Sequence, residues 1–454
     1  MRRSYRVFGL VILAFAIPAS VCCADGPLEV SDNGRFLVDD DGTPFFWLGD
    51  TNWRLYKLDE DDIEDYLDDR DSKKFNVIQG PLILPSNAGD QFVNASGESN
   101  TNPGNPNDDW FEHIDFIVDA AKDRDMYVAL VVTWGDNWNG FDSNSQAKNF
   151  GEWLGERYKN DDNVIWIVAG EYIIEGTGSQ IVSRWNSLGK GLAQGSDGNN
   201  LITAHGSFQQ NRQSSSVKLH GKDWLDFNMV HSSQGGNDGS GAANWALIKT
   251  DWNKSPTKPT IDGEATYEHL GGWDDFGVRR RAYWSVFAGA FGHTYGAASV
   301  WESHRPEIDV SDLGSSDSWI EALDYPGAFD MKHLRFLMES RPMLKRKPAQ
   351  DMIVGSAGGV PNHVQATRDG EGRYAMIYVP QADEDVTVDM DKISGNSAVA
   401  WWFNPRNGDA TEIGTYSTSG TRTFTTPSNG PDWVLVLDDE SEDFPEPGEG
   451  GPLP

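Results

Sequence analysis

NVIWIVAGEYII, residues 163–174, carries a glutamate at the tip of an apolar run. From Asn163 to Ala169 nothing alternates with polar residues, as expected of a strand buried on both faces in a parallel sheet covered by helices. Gly170 and Glu171 then follow with no polar transition. Similar runs recur at Phe45–Gly49, Asn76–Ile83, Met126–Thr133, Asn200–His205, Phe227–His231, Pro259–Asp262 and Gly292–Trp301. Between them lie segments with a helical period. In residues 107–123, Trp110, Ile114, Ile117, Val118 and Ala121 fall on one face, Asn107 stands at the N-cap, and Asp108 and Asp109 fill the first turn. Residues 59–74, 147–159, 179–192, 244–254 and 275–289 read alike, while the gap between the fifth and sixth runs holds the weakest helix. Eight buried strands alternating with helices predict an α/β fold, a (β/α)8 TIM barrel. A doubly wound open sheet competes with it, but no glycine-rich phosphate fingerprint follows any of the runs.

Residues 327–342 read as the last barrel helix, and the pattern then changes. Short alternating strands are separated by Asp-Gly, Asn-Gly and Ser-Asn-Gly-Pro turns, which predicts a small antiparallel β-sandwich domain over 343–439. The acidic ending ESEDFPEPGEGGPLP, 440–454, is rich in Pro and Gly and is expected to be a disordered tail. At the other end, Arg2, Arg3 and Arg6 precede VFGLVILAFAIPA and then small residues up to Ala24. That is the pattern of a signal peptide over 1–24, with the barrel domain over 25–342, and export to the periplasm or medium is the expectation. No later run approaches the roughly 18 apolar residues that a membrane span needs.

Both cysteines, Cys22 and Cys23, lie in that leader, so the mature chain is expected to have no disulfide and no thiolate chemistry. A formal net charge of −33 sets the surface against nucleic acid and anionic membranes. The chain bears on no particular oligomeric state.

In a parallel barrel the chemistry sits at the C-terminal ends of the strands. The residues there are Asp50 and Trp53 after the first run, Gln79 in the second, and Trp134, Asp136 and Trp138 after the third. Glu171 ends the fourth, His205 the fifth and His231 the sixth; Glu264 follows the seventh, and the eighth carries Tyr295 and Trp301. Sugars lay their C–H faces on indole rings and bind hydroxyls through Asp, Gln and His, and cleaving a glycosidic bond takes two carboxyl groups. Glu171 and Glu264 would flank such a pocket from different sides, as catalytic residues, with the others binding a carbohydrate substrate. His205, His231 and His293 show no HxH or HExxH spacing, so no metal and no cofactor is expected. No GxSxG elbow points to ester hydrolysis. A non-catalytic carbohydrate-binding or adhesive protein is the competing reading.

The residues NGRFLVDDDGTPFFWLGDTNW, TWGDNW, NVIWIVAGE, KPTIDGEATYE and RRRAYWSVFAGAFGHTYG resemble the apiosidase-like glycoside hydrolases, glycoside hydrolase family 140. The part from RYAMIYVPQ to DWVLVL resembles the collagen-binding-like domain that often follows this barrel. The resemblance implies a retaining two-carboxylate mechanism on a plant or algal polysaccharide or its side chains, with Glu171 as acid/base and Glu264, in the DGE motif, as nucleophile. Where the family reads GGDRN after strand four, this chain reads AGEYI, so its acid is one methylene longer.

Overall fold

The computed structural model describes residues 26–82, 93–99, 102–133, 141–171, 178–207, 213–232 and 243–453. The leader and Trp134, Asp136 and Trp138 lie outside the described residues. All eight apolar runs form strands: β1 Trp47–Thr51, β2 Val77–Pro81, β3 Tyr127–Val131, β4 Val164–Ile167, β5 Ile202–Thr203, β6 Asn228–His231, β7 Thr260–Glu264 and β8 Gly292–Tyr295. They pair in parallel in the order β5-β4-β3-β2-β1-β8-β7-β6. The seam between β5 and β6 is drawn together by Asp226, whose backbone N–H donates to Ile202 O at 2.8 Å and whose carboxylate accepts from Ile202 N at 2.7 Å. Thr203 Oγ1 donates across the same seam to Phe227 O at 2.7 Å. A (β/α)8 barrel results.

Strand parity sorts the side chains. Trp47, Val77, Ala129, Val131, Ile165, Ile167 and Met229 share one interior cluster, whereas Leu48, Ile78, Val128, Leu130 and Trp166 pack outward against the helices. Two-residue strands at Glu29–Val30, Leu37–Val38 and Pro44–Phe45 form a small three-stranded antiparallel sheet, and Leu28, Phe36 and Leu37 join the interior cluster.

The outer helices are α1 Glu60–Ser72, α2 Asp108–Lys122, α3 Asn144–Tyr158, α4 Gly178–Gly195, α5 Ser216–Leu219, α6 Asn244–Trp252 and α7 Asp275–Phe287, with α8 Ala298–Glu302, α9 Trp319–Leu323 and α10 Pro326–Glu339 after β8. Asn107 caps α2 by accepting from Asp109 N, and the five apolar residues assigned to its inner face are buried. The weak helix between β5 and β6 is the four-residue α5. Residues 213–215 instead run beside β6, with His231 N donating to Gln213 O and Ser215 N to Met229 O. The eighth run is shorter as a strand than its apolar length suggests. It stops at Tyr295, and Trp301 belongs to α8, whose first residue donates from Ala298 N to Glu268 O.

In the second domain, β9 Arg346–Pro348, β10 Gln365–Asp369, β11 Tyr374–Val379, β13 Ser397–Phe403, β14 Ala410–Ser417 and β16 Trp433–Asp439 make an antiparallel sheet in the order β9-β10-β11-β16-β13-β14. A second, two-stranded sheet, β12 Asp385–Asp389 with β15 Thr421–Thr425, covers one face. Ile377, Leu435, Val386 and Phe424 meet in that inner core. The opposite face, with Tyr374, Met376, Tyr378, Val434 and Val436, packs into the core of the barrel helices. Every residue of β16 is therefore buried. The acidic ending departs from the expectation of a disordered tail. Phe444 lies 6.3 Å from the Tyr374 ring and 4.9 Å from the Arg341 guanidinium, and Gly448 N donates to Ser340 Oγ. An apolar anchor and a backbone hydrogen bond hold what composition alone leaves loose.

Two buried arginines of the barrel reach carboxylates of the second domain. Arg279 of α7 donates through Nε and Nη2 to the two oxygens of Asp432, at 2.9 and 3.0 Å, and Tyr378 Oη donates to the same carboxylate. Arg341 grips Asp438 of β16 in the same bidentate way at 2.8 Å. Such forks are the strong form of the ion pair; Arg279 Nη1 also pairs with Asp330, so losing Asp432 leaves Nε and Nη2 of a buried guanidinium without their acceptors. Asp432→Ala is expected to cost about 3–5 kcal/mol, read as a lower urea midpoint at unchanged m-value. An unshifted midpoint would remove Asp432 from the interface energetics.

Candidate active site

At the end of β4 the chain leaves the sheet through Val168, Ala169 and Gly170, whose N–H donates to Thr133 O on the neighbouring strand. Glu171 then takes φ +44°, a left-handed conformation that costs a non-glycine residue about 1 kcal/mol or more. Its side chain remains 26% exposed. Backbone strain of this kind is kept where the side chain has a task.

The other glutamate reaches the pocket by a different device. Asp262 and Glu264 are two apart, so a regular strand would turn both to one side. The ladder with β6 shifts register between them, which marks a β-bulge at Gly263. Asp262 faces outward, accepting from Ser232 Oγ at 2.9 Å and Asn244 Nδ2 of α6 at 3.0 Å. Glu264 faces inward. A Cβ on Gly263 would stand 2.6 Å from Met229 Cγ, so the bulge needs glycine, and Gln79 Nε2 donates to Gly263 O at 3.1 Å.

Two histidines complete the inner wall. His205 Nε2 is 3.1 Å from Glu264 Oε2, while its Nδ1 lies 2.7 Å from Gly206 O. Both neighbours are acceptors, which favours the doubly protonated ring. Burial disfavours that cation, but the hydrogen bond and charge of Glu264 outweigh burial and raise the His205 pKa. His231 Nδ1 lies 3.7 Å from Glu264 Oε2 and 3.8 Å from Glu171 Oε1. Burial brings its pKa down to about 4 despite the attraction of Glu264, so it is neutral at pH 7. Because both carboxylates approach one nitrogen, their oxygens are at most about 7.5 Å apart. Retaining pairs use about 5–5.5 Å and inverting pairs about 6.5–9.5 Å.

Glu264 also receives a hydrogen bond from Tyr267. The phenol oxygen of Tyr267 accepts from Trp53 Nε1 at 2.8 Å, which leaves its single proton for the carboxylate. Burial and Glu264 hold the Tyr267 pKa well above the usual phenol range, so that proton stays. Burial alone raises the Glu264 carboxyl, but His231, His205 and Tyr267 more than offset it and bring it down to about 2. Glu264 is a carboxylate at any physiological pH.

The structure thus brings Glu171, Glu264, His205 and His231 together, with Trp53 and Trp301 beside them and Gln79 beneath. Trp53, only 3% exposed, sets its edge against the His205 ring and is committed to Tyr267, leaving half-buried Trp301 as the more accessible indole. Two expected substrate contacts are corrected. Asp50 lies on the outward side of β1, fully buried, accepting from Tyr66 Oη at 2.7 Å and paired with Arg70 at 3.3 Å. Tyr295 likewise points outward and donates to Glu268 at 2.6 Å. Strand parity, invisible when only strand tips are counted, puts both behind the barrel wall. Tyr267 also stands at the rim end of the seventh run, but the sequence reading gives it no role; the structure does, three residues after Glu264. Among the described residues, His205, His231 and Glu264 also offer one potential metal-ligand atom each within 4.8 Å of one another.

Tyr267→Phe is expected to leave the Trp53 indole N–H without its acceptor, costing about 1–3 kcal/mol in stability, and to raise the Glu264 pKa. Thermal melts together with carboxyl-carbon NMR titration test both; an unmoved Glu264 titration would refute the hydrogen-bond role. The His205–Glu264 pair also has a pH signature. Stabilisation from a raised histidine pKa is complete below about 6.5, and that from a lowered glutamate pKa is complete above about 4.5. Relative to His205→Gln, the wild type should therefore gain most between these values. The gain should fade as pH rises through the His205 pKa and as it falls towards 2. A melting-temperature difference that stays flat from pH 3 to 9 would contradict the pairing.

Comparison with known proteins agrees with this geometry. The family described as "Apiosidase-like, catalytic domain" matches residues 31–345, and the "Putative collagen-binding domain of a collagenase" matches 347–438. A solved structure named "Glycoside hydrolase" is 34% identical, covers 92% of this chain and 98% of its own, and superposes with a TM-score of 0.82. A glycoside hydrolase family 5 protein from Bacteroides vulgatus ATCC 8482 is 30% identical over 94% of this chain and 96% of its own, with a TM-score of 0.83. An exo-beta-1,4-mannosidase from Opitutaceae bacterium strain TAV5, 14% identical with a TM-score of 0.51 over 66% of this chain and 60% of its own, shares the barrel fold alone. No curated protein matches. The barrel with its inward pair of glutamates, matched over most of its length, is a glycoside hydrolase barrel, and the chain belongs to the apiosidase-like family.

Proposed function

We propose that this protein is an exported retaining glycosidase acting on a plant or algal polysaccharide or its side chains. The observation that carries the reading is that Glu171 and Glu264, from opposite parts of the rim, both come within 3.8 Å of His231 Nδ1. A protein that only bound carbohydrate would not need two carboxylates converging across a pocket.

Glu264, ionised and aimed by His205 and Tyr267, attacks the anomeric carbon. Glu171 gives its proton to the departing glycosidic oxygen, and a glycosyl ester on Glu264 results. Water enters on the face the leaving group left, opposite Glu264, loses its proton to Glu171 and displaces Glu264, so configuration is retained. Neutral His231 lies between the two groups without taking a proton at pH 7. The partial exposure of Glu171 suits a group that exchanges protons with water, while the burial of Glu264 suits one that must not be solvated away from carbon. The apolar leader supports export, and the resemblance at DGE supports retention.

Release of monosaccharide from a panel of plant and algal oligosaccharides, with the first-formed anomer followed by proton NMR, tests the reading. Glu264→Gln and Glu171→Gln should each lower turnover by about 10²–10⁴-fold or more. With an activated leaving group, azide should restore Glu171→Ala through a glycosyl azide of retained configuration. Full activity in both glutamine variants, or an inverted first product, would overturn the assignment.

A further inference from the structure

The inner wall of the pocket has a second chemical identity. His205, His231 and Glu264 come from the ends of three successive strands, all are buried, and their ligand atoms cluster within 4.8 Å. We propose that these three side chains form a site for a borderline-soft divalent cation, zinc foremost, and that filling it silences the enzyme. The inhibitory part rests on the reading of Glu264 as the nucleophile; the binding part does not.

Ligand chemistry comes first. Two imidazoles and one carboxylate are a donor set for zinc rather than for calcium or magnesium, which take oxygen. Three protein ligands with a fourth position open to a pocket are how exchangeable zinc sites are built. Bonds of about 2.0–2.2 Å in a tetrahedron space the ligand atoms about 3.4 Å apart. The two separations from Glu264 Oε2, 3.1 Å to His205 Nε2 and 3.7 Å to His231 Nδ1, straddle that value. The histidine pair, within 4.8 Å, has to draw in by at most about 1.4 Å.

The second observation is the support behind His205. Its Nδ1 is held by Gly206 O at 2.7 Å, so the proton stays on that nitrogen and Nε2 is turned on Glu264. A metal-binding histidine has this arrangement: one nitrogen donating to a carbonyl, the other presenting its lone pair. Edge contacts with Trp53, at 5.8 Å, and with the His231 ring, at 5.2 Å, fix the ring plane. Binding is an exchange without redox change: the proton between His205 Nε2 and Glu264 leaves to solvent, and zinc takes its place. The same bond occupies the oxygen of Glu264 that must attack carbon.

Calorimetric titration of the chelator-stripped full-length protein with zinc chloride tests the site. One zinc should bind with micromolar affinity and raise the melting temperature by at least about 2 °C at saturation. His231→Asn and Glu264→Gln should each weaken binding tenfold or more, and magnesium and calcium should not compete. If His231→Asn does not fold, the nearly isosteric Glu264→Gln decides the point by itself. Affinity weaker than about 1 mM, or equal in wild type and variants, would assign the metal to surface carboxylates and overturn the proposal. Hydrolysis by the wild type should fall in step with zinc occupancy and return with EDTA; activity undiminished at full occupancy would overturn the inhibitory part. An enzyme inactive on every glycoside would refute the functional reading while leaving the calorimetric result to stand or fall alone.

Discussion

A barrel strand gives alternate side chains to its two sides, and at β7 this alternation has to be broken for the pocket to hold a second carboxylate. The bulge at Gly263 breaks it. On one side Asp262 is drawn outward to Ser232 and Asn244, which ties β7 to α6. On the other, Glu264 swings inward to His205, His231 and Tyr267. The bulge is held in turn by Gln79 from β2 on the carbonyl of Gly263 and by Met229 of β6 against its missing Cβ. Four strands thus contribute to aiming one carboxylate. Distributing the task over rigid neighbours is what keeps a charged group in place without solvent.

The electrostatics follow from that placement. A buried carboxylate would ordinarily take up a proton. Here a histidine whose pKa is raised and a phenol face it, and the phenol oxygen is fixed by the Trp53 indole that donates to it. Glu171 is managed in the opposite way: it keeps contact with water and is reached through a strained backbone turn. The two glutamates are chemically the same side chain, and only their surroundings separate a buried anion from a carboxyl group in contact with water.

The second domain shows why the barrel is not a detachable module. Its central strands are covered by the two-stranded sheet on one face and by α7 and α10 on the other, with Arg279 and Arg341 reaching their carboxylate partners inside the contact. An amphipathic pattern with turn residues predicts a sheet, but it leaves open what covers the second face. In β16, where every residue is buried, the neighbour is the barrel.

Much of the molecule was legible in the chain. Unbroken apolar runs such as VIWIVA specify buried parallel strands, Asn107 announces a helix start, and Glu171 and Glu264 stand at strand ends where barrel chemistry lies. Local sequence determines these features because they depend on neighbours a few residues away. Parity, bulges and long-range pairing do not. Asp50 and Tyr295 sit at strand tips as plainly as His205 does, yet they face Arg70 and Glu268 behind the wall. Tyr267 joins the site because its loop folds back to meet Trp53, 214 residues away. The sequence by itself determined the strands, the helices and the residues able to do chemistry. Which of them share one cavity was decided by the tertiary structure, since only closing the barrel brings distant strand ends within a hydrogen bond of each other.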